Sequence, residues 1–119
     1  MSELDALKLK IRKFVDDRDW DQYHTPKNLS MALIAECGEL VEHFQWLSEE
    51  QSAQLPEESL QEVSHELADV FVYLLRLSDK LGIDLVEAAN RKMILNEAKY
   101  PADEVRGSAK KYTEYKNRS

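Results

Sequence analysis

The sequence predicts an all-α protein, a four-helix bundle, on three observations. Glycine and proline each occur only three times in 119 residues. Apolar residues recur every three or four positions over long stretches, the period of a helix that lays one face on a core. No segment keeps up the strict apolar–polar alternation of a half-buried strand. The length fits one domain, which buries about two thirds of the surface its unfolded chain exposes.

The first helix is expected from about residue 3 to residue 17. Ser2 can cap it, and Leu4, Leu7, Ile11, Phe14 and Val15 form its apolar stripe. Residues 18–24, Arg-Asp-Trp-Asp-Gln-Tyr-His, are aromatic and polar without a period and read as a connector. Thr25-Pro26 opens the second helix as N-cap and first helical residue, and the pattern runs to about Leu47. Leu29, Leu33, Glu36, Leu40, His43 and Leu47 share one face; Ile34, Cys37, Val41 and Phe44 share another. Residues 48–55 read as a polar loop. Pro56 begins the third helix at a first-turn position, and Gly82 ends it. Its main stripe is Leu60, Val63, Leu67, Val70, Leu74 and Leu77, with Phe71, Leu75 and Leu81 as a second. Asp84-Leu-Val-Glu87 is a capping box for the fourth helix, with Ile83 placed as a hydrophobic staple. That helix runs to about Lys99, and Pro101 stops it. Residues 102–119 are a polar basic tail carrying Arg106, Lys110, Lys111, Lys116 and Arg118, read as a solvated end. Apolar stripes on two sides of the central helices predict self-association with cyclic or dihedral symmetry.

Composition excludes several classes. Hydrophobic content of 43% with 33% charged residues is that of a soluble helical protein and not of a disordered chain. A net charge of −7 argues against gripping long nucleic acid by its backbone. The single cysteine, Cys37, allows no intrachain disulfide and is expected as a small buried thiol. The N-terminal residues are charged and no run of about 20 apolar residues occurs, so a cytosolic protein without a membrane span is expected.

Two carboxylate pairs carry the chemistry. Glu36/Glu39 and Glu66/Asp69 are each spaced i, i+3 inside strongly apolar helical stretches, so each pair can aim both acids at one spot. Carboxylates in such settings are costly unless compensated. A divalent cation compensates four of them most simply, and an all-oxygen donor set points to Mg²⁺, with Mn²⁺ or Ca²⁺ as relatives. Mg²⁺ held by a few carboxylates keeps waters and takes substrate phosphates as further ligands, which points to a phosphorylated small molecule. The cluster would repel free phosphates, so the metal must arrive first or with the substrate. Glu42 and Glu62 lie near and read as solvated. A di-iron site is the rival metal reading and needs Glu-x-x-His on two helices. Glu62 and His65 fit it once, but Leu40 occupies the place three before His43. Three histidines without a tight cluster do not make a zinc site.

Trp20, Tyr23, His24 and Trp46 form a second constellation. Either the tryptophans are core or lid packing, or they stack a flat base while His24 hydrogen-bonds its edge; such stacking is worth about 1–3 kcal/mol per base. Lys92, Asn96 and Lys99 either meet phosphate oxygens or form a solvated face.

Glu36-x-x-Glu39, 26 residues, then Glu66-x-x-Asp69 resembles the signature of the MazG-like all-α nucleoside triphosphate pyrophosphohydrolases. Arg18-Asp-Trp-Asp-Gln-Tyr-His-Thr-Pro-Lys-Asn-Leu29, Gly38-Glu-Leu, Phe44-Gln-Trp46, Lys99-Tyr-Pro101 and Arg106-Gly-Ser-Ala-Lys-Lys-Tyr-Thr113 resemble its dCTP pyrophosphatase branch. The similarity covers nearly the whole chain. Many members carry a further glutamate directly before the first motif glutamate, where this chain has Ala35. The resemblance implies a MazG-like helical domain over residues 1–101, assembled as dimers or as a tetramer of paired dimers, with sites between subunits. It implies that Glu36, Glu39, Glu66 and Asp69 hold Mg²⁺ on a deoxynucleoside triphosphate. Trp20, His24 and Trp46 would hold the base, Tyr73 would pack near the sugar and disfavour a 2′-hydroxyl, and Lys92 and Asn96 would meet phosphates. Attack at the α-phosphorus would release a nucleoside monophosphate and pyrophosphate, a house-cleaning activity on dCTP or a modified dCTP. A dUTPase-like or phosphoribosyl-ATP pyrophosphatase-like relative would share the carboxylates but not the base pocket, and a non-catalytic helical interaction module would need no divalent ion.

Overall fold

The structure, a computed structural model, describes residues 1–108. They contain helices and no strand. The helices are α1 (Glu3–Asp17), a 3₁₀ turn (Asp21–Tyr23), α2 (Pro26–Glu42), α3 (Glu49–Ser52), α4 (Glu57–Leu81), α5 (Leu85–Lys99) and α6 (Ala102–Val105). Four of them are long and follow in the expected order. Ser2, Thr25 and Asp84 cap α1, α2 and α5, each side chain accepting a backbone N–H three residues on. Gly82 ends α4 in the left-handed region at φ 68°, a conformation that glycine adopts without the Cβ clash.

Residues 1–83 form one compact unit, and the described residues from Asp84 to Ser108 belong to a second. In the first unit α4 is the spine, with α2 packed along it and α1 on its C-terminal half. Ile11 and Val15 of α1 bury themselves with Leu75 of α4, and Leu4, Leu7 and Val72 pack around them. Leu29 of α2 and Val63 of α4 are also buried. Full burial of one such side chain is worth about 2 kcal/mol, so this small set carries much of the unit's stability.

Several boundaries differ from the sequence reading. The second helix stops at Glu42, not Leu47, and its last turn tightens into bonds such as Phe44 N–H to Val41 O and Leu47 N–H to Phe44 O. The chain must leave the helix there because Ser48 sits extended as the N-cap of α3. Residues 48–55 are therefore not simply a loop: Ser48 and Gln51 complete a reciprocal capping box around a one-turn helix. Pro56 is the residue before α4 and not within it. At the start of α5, Asp84 caps Glu87 N–H, but the Glu87 carboxylate turns to Arg91. The main stripe expected on α4 is only partly buried, with Leu60 and Leu67 exposed, because α1 covers a different face at Val72, Leu75 and Asp79. Cys37 is half-buried and not enclosed. Residues 102–105 form α6 where a tail was expected. Lys110, Lys111, Lys116 and Arg118 lie outside the described residues.

Candidate active site

Glu36 and Glu39 project from α2 and Glu66 from α4. One oxygen from each lies within 4.8 Å of the others. Their i, i+3 spacing and the α2–α4 packing bring them together, and among the described residues no lysine or arginine forms an ion pair with them. Glu36 Oε2 and Glu66 Oε2 are buried without a hydrogen-bond partner, although such oxygens in a folded protein ordinarily find one. The Glu36 carboxyl is pushed up to about 7, first by burial, then by the hydrogen bond and charge of Glu39 and the charges of Asp69 and Glu66. Glu66 is raised by burial, then by Glu39 and Asp69, against a lowering pull from His43. His43 Nε2 stands 3.8 Å from Glu66 Oε1, and its Nδ1 3.8 Å from Glu62 Oε2.

Asp69, the fourth predicted acid, is not within the converging trio. It is close enough for its charge to act on Glu36 and Glu66, and it also lines a neighbouring cavity. Asp69 thus joins two features: the acid cluster and a cavity of about 420 Å³ whose walls include Phe14, Trp20, His24, Tyr73 and Arg76. Trp20 packs edge-on against Phe14, centroids 5.7 Å apart at 73°, and the Arg18 guanidinium lies 3.7 Å over the Phe14 ring. Asp19 adopts a positive φ of 53° to turn the chain into Trp20, a conformation aspartate tolerates better than most residues. Gln22 braces that turn with bonds to Asp19 O and Oδ2.

Three of the predicted base and sugar contacts, Trp20, His24 and Tyr73, therefore line one cavity. Trp46 does not join them: it is 87% exposed beyond the end of α2. Tyr23 is exposed, and its carbonyl accepts from Asn28. Lys92 and Asn96 stand one turn apart on α5, the first exposed and the second half-buried. Glu42 and His65 are exposed. A second cavity, about 520 Å³, opens beside His43 between Leu47, Gln51, Gln54 and Ser59.

Sequence reasoning did not single out Arg76, Lys10 and Phe14, and it read His43, though placed on the Glu36 face, as an ordinary helix histidine. His43 is four residues after Glu39 and stands 3.8 Å from Glu66. Arg76 follows Glu66, Asp69 and Tyr73 at +10, +7 and +3, one continuous stripe of α4. Phe14 and Lys10 of α1 carry no such signal, because only the tertiary packing of α1 sets them on the cavity wall.

The sequence profile of the MazG-like family matches residues 32–115. Mouse dCTP pyrophosphatase 1 is 41% identical over 104 residues and human dCTP pyrophosphatase 1 is 43% identical over 107, each match covering 86% of this chain. The chain spans 61% of the length of those relatives. Among solved structures, a crystal structure of a pyrophosphatase from Archaeoglobus fulgidus superposes with a TM-score of 0.81 at 43% identity, covering 85% of this chain and 94% of that one. The profile match spans more than half of the sequence and includes both acidic pairs, and with this likeness in sequence and fold the chain belongs to the MazG-like family.

Proposed function

We propose that this chain is a nucleoside triphosphate pyrophosphohydrolase that cleaves a deoxynucleoside triphosphate, dCTP or a modified dCTP, between the α and β phosphates. The observation that carries the reading is the junction at Asp69: an acid cluster with two buried, unpartnered oxygens adjoins an aromatic cavity of ligand size. The relatives named dCTP pyrophosphatase 1 support cytosine as the base.

The residues fit a divalent cation. The donors are all carboxylate oxygens, no lysine or arginine among the described residues pairs with them, and two buried oxygens lack partners, a donor set that suits a hard dication. Glu36, Glu39 and Glu66 would hold Mg²⁺, or Mn²⁺, with Asp69 beside them. Such an ion neutralises triphosphate charge and lowers the pKa of a coordinated water. The remaining work falls to the chain. Trp20 offers a face for stacking the base, His24 a polar edge, and Tyr73 a wall against the sugar that excludes a 2′-hydroxyl. The low local polarity of Phe14, Trp20 and Val72 keeps bulk water from the base. Trp46 as a base contact and Lys92 and Asn96 as phosphate contacts rest on the family resemblance. Self-association into dimers or tetramers is supported by exposed apolar side chains, Met31, Ile34 and Val41 on α2 and Leu67 and Phe71 on α4. Residues 1–101 would carry the activity, with 102–119 as an appendage. No helix among the described residues is long and apolar enough to cross a membrane. A cytosolic setting agrees with a single, unpaired cysteine.

A substrate panel tests the reading. With Mg²⁺ present, dCTP or 5-substituted dCTP is expected to yield the monophosphate and pyrophosphate ahead of dUTP, dATP and phosphoribosyl-ATP. No pyrophosphate from any of them would overturn it.

A further inference from the structure

The geometry around Arg76 assigns this residue a task beyond structure. Its side chain is 6% exposed, the most deeply buried charge in the described residues. Its Nε donates to His24 Nδ1 at 3.2 Å, a second guanidinium nitrogen donates to Asp21 Oδ1 at 2.6 Å, and the third lies 3.8 Å from Asp79 Oδ2. The two carboxylates fix the plane of the fork. They are themselves held by other cations, Asp21 by Lys80 at 2.9 Å and Asp79 by Arg12 at 2.6 and 2.7 Å.

A guanidinium remains protonated and has no lone pair to offer. The Arg76–His24 contact therefore has one possible polarity: Nδ1 accepts. An imidazole whose Nδ1 accepts carries its one N–H at Nε2. Burial, then the charge of Arg76, holds the His24 pKa below its ordinary value, so the neutral ring prevails. Both His24 and Arg76 line the aromatic cavity.

We propose that Arg76 is a positioning residue that locks His24 as its Nε2–H tautomer, so that the cavity presents a hydrogen-bond donor and selects a base with an acceptor on the facing edge. The proposal rests on the reading above that a nucleobase occupies this cavity. It sharpens that reading into a rule of selection. Cytosine carries adjacent acceptors at its unprotonated ring nitrogen N3 and its O2 carbonyl. Uracil and thymine carry N3–H, which would oppose the His24 donor and leave two donors face to face. A site built to donate rejects a ligand that cannot accept far more strongly than an apolar wall rejects a change in shape.

The test has two arms. In the first, long-range ¹H–¹⁵N spectra of the full chain, without metal or nucleotide, read the His24 ring directly. Wild type is expected to carry the proton on Nε2 alone, and Arg76→Met to show averaged tautomers. Adding dCMP is expected to shift the Nε2–H signal, and adding dUMP to leave it in place. A proton on Nδ1, or mixed tautomers in wild type, overturns the proposal, as does an equal response to dCMP and dUMP. In the second arm, Arg76→Met is expected to raise KM for dCTP about 10-fold while kcat stays within about threefold. In a His24→Ala background the same substitution is expected to change KM less than about twofold, because the residue it acts through is gone. An equal rise in both backgrounds means that Arg76 acts by structure alone and overturns the proposal. Folding of Arg76→Met is protected by the second cation on each carboxylate. The ring spectra need no catalysis, so a chain that cleaved no nucleotide would overturn the proposed function while the tautomer stood or fell on its own spectrum.

Discussion

Helix α4 carries two clusters of charge about 15 Å apart along its axis, taking 1.5 Å per residue from Glu66 to Arg76, and they are built on opposite rules. Around Asp79 and Arg76 every acid has a cation: Arg12 forks onto Asp79, and Arg76 and Lys80 share Asp21. Those carboxyls sit below the ordinary carboxylate range, Asp79 chiefly through its hydrogen bond from Arg12 and Asp21 chiefly through that from Lys80. Around Glu66 the acids meet one another. Glu36 and Glu39 converge on it, Asp69 adds charge, His43 stands off at 3.8 Å, and the carboxyls of Glu36 and Glu66 are raised. The first cluster is complete as the chain folds and ties α1 and the connector to the spine. The second is left unbalanced among the described residues, which costs stability, and it is where we propose that a cation binds. Paired charge here ties elements together, and unpaired charge marks the proposed site.

The largest effect should come from the unbalanced cluster. Glu39→Gln or Asp69→Asn is expected to lower kcat at least about 100-fold, by removing acid charge in or beside the proposed cation site, with the circular dichroism spectrum unchanged. Wild-type-like turnover in both would contradict the site. The same cluster should resist destabilisation: Glu36→Gln relieves repulsion, and the metal-free protein is expected to melt at the same temperature or higher. Its balanced counterpart should behave in the opposite way. Asp79→Ala leaves the buried Arg76 short of a partner and is expected to cost about 2 kcal/mol in urea unfolding, at the level of hydrogen bonds to charged groups.

Titration sharpens the contrast. Asp79 and Asp21 have depressed values in the folded chain, so the stability they add is present above the ordinary carboxylate range and is lost as pH falls through their folded values. Glu36 has the reverse sign. Its folded value of about 7 lies above its ordinary 4.5, so its contribution is complete below 4.5 and is lost as pH rises through about 7. Metal-free protein should therefore lose stability between pH 5 and 8 by calorimetry, and Glu36→Gln should flatten that limb. A rising limb there would mean that the carboxylates are not crowded. The smallest effect belongs to the exposed rim of the balanced cluster: Lys80→Ala should cost no more than about 0.5 kcal/mol, as exposed ion pairs do.

Much of this was readable in the sequence, for identifiable reasons. The helices came from apolar period and caps, and Ser2, Thr25, Asp84 and Gly82 mark ends that the structure keeps. Glu36, Glu39 and Glu66 were legible because i, i+3 acids inside apolar runs have few structural uses. What failed depended on competition or on distant packing. Ser48-x-x-Gln51 opened its own helix and cut α2 short, although the signature S-x-x-Q was present. Arg76 reads as one more helix-surface cation until Asp21 and His24, more than 50 residues earlier, fold back onto it.

Calorimetric titration of the metal-free, nucleotide-free chain with Mg²⁺ or Mn²⁺, in wild type and in Glu66→Gln, reaches the central claim most directly. Saturable binding in wild type that is lost in the variant is the result expected from an acid cluster left open for a cation. No binding in wild type, or the same binding in both proteins, would contradict it.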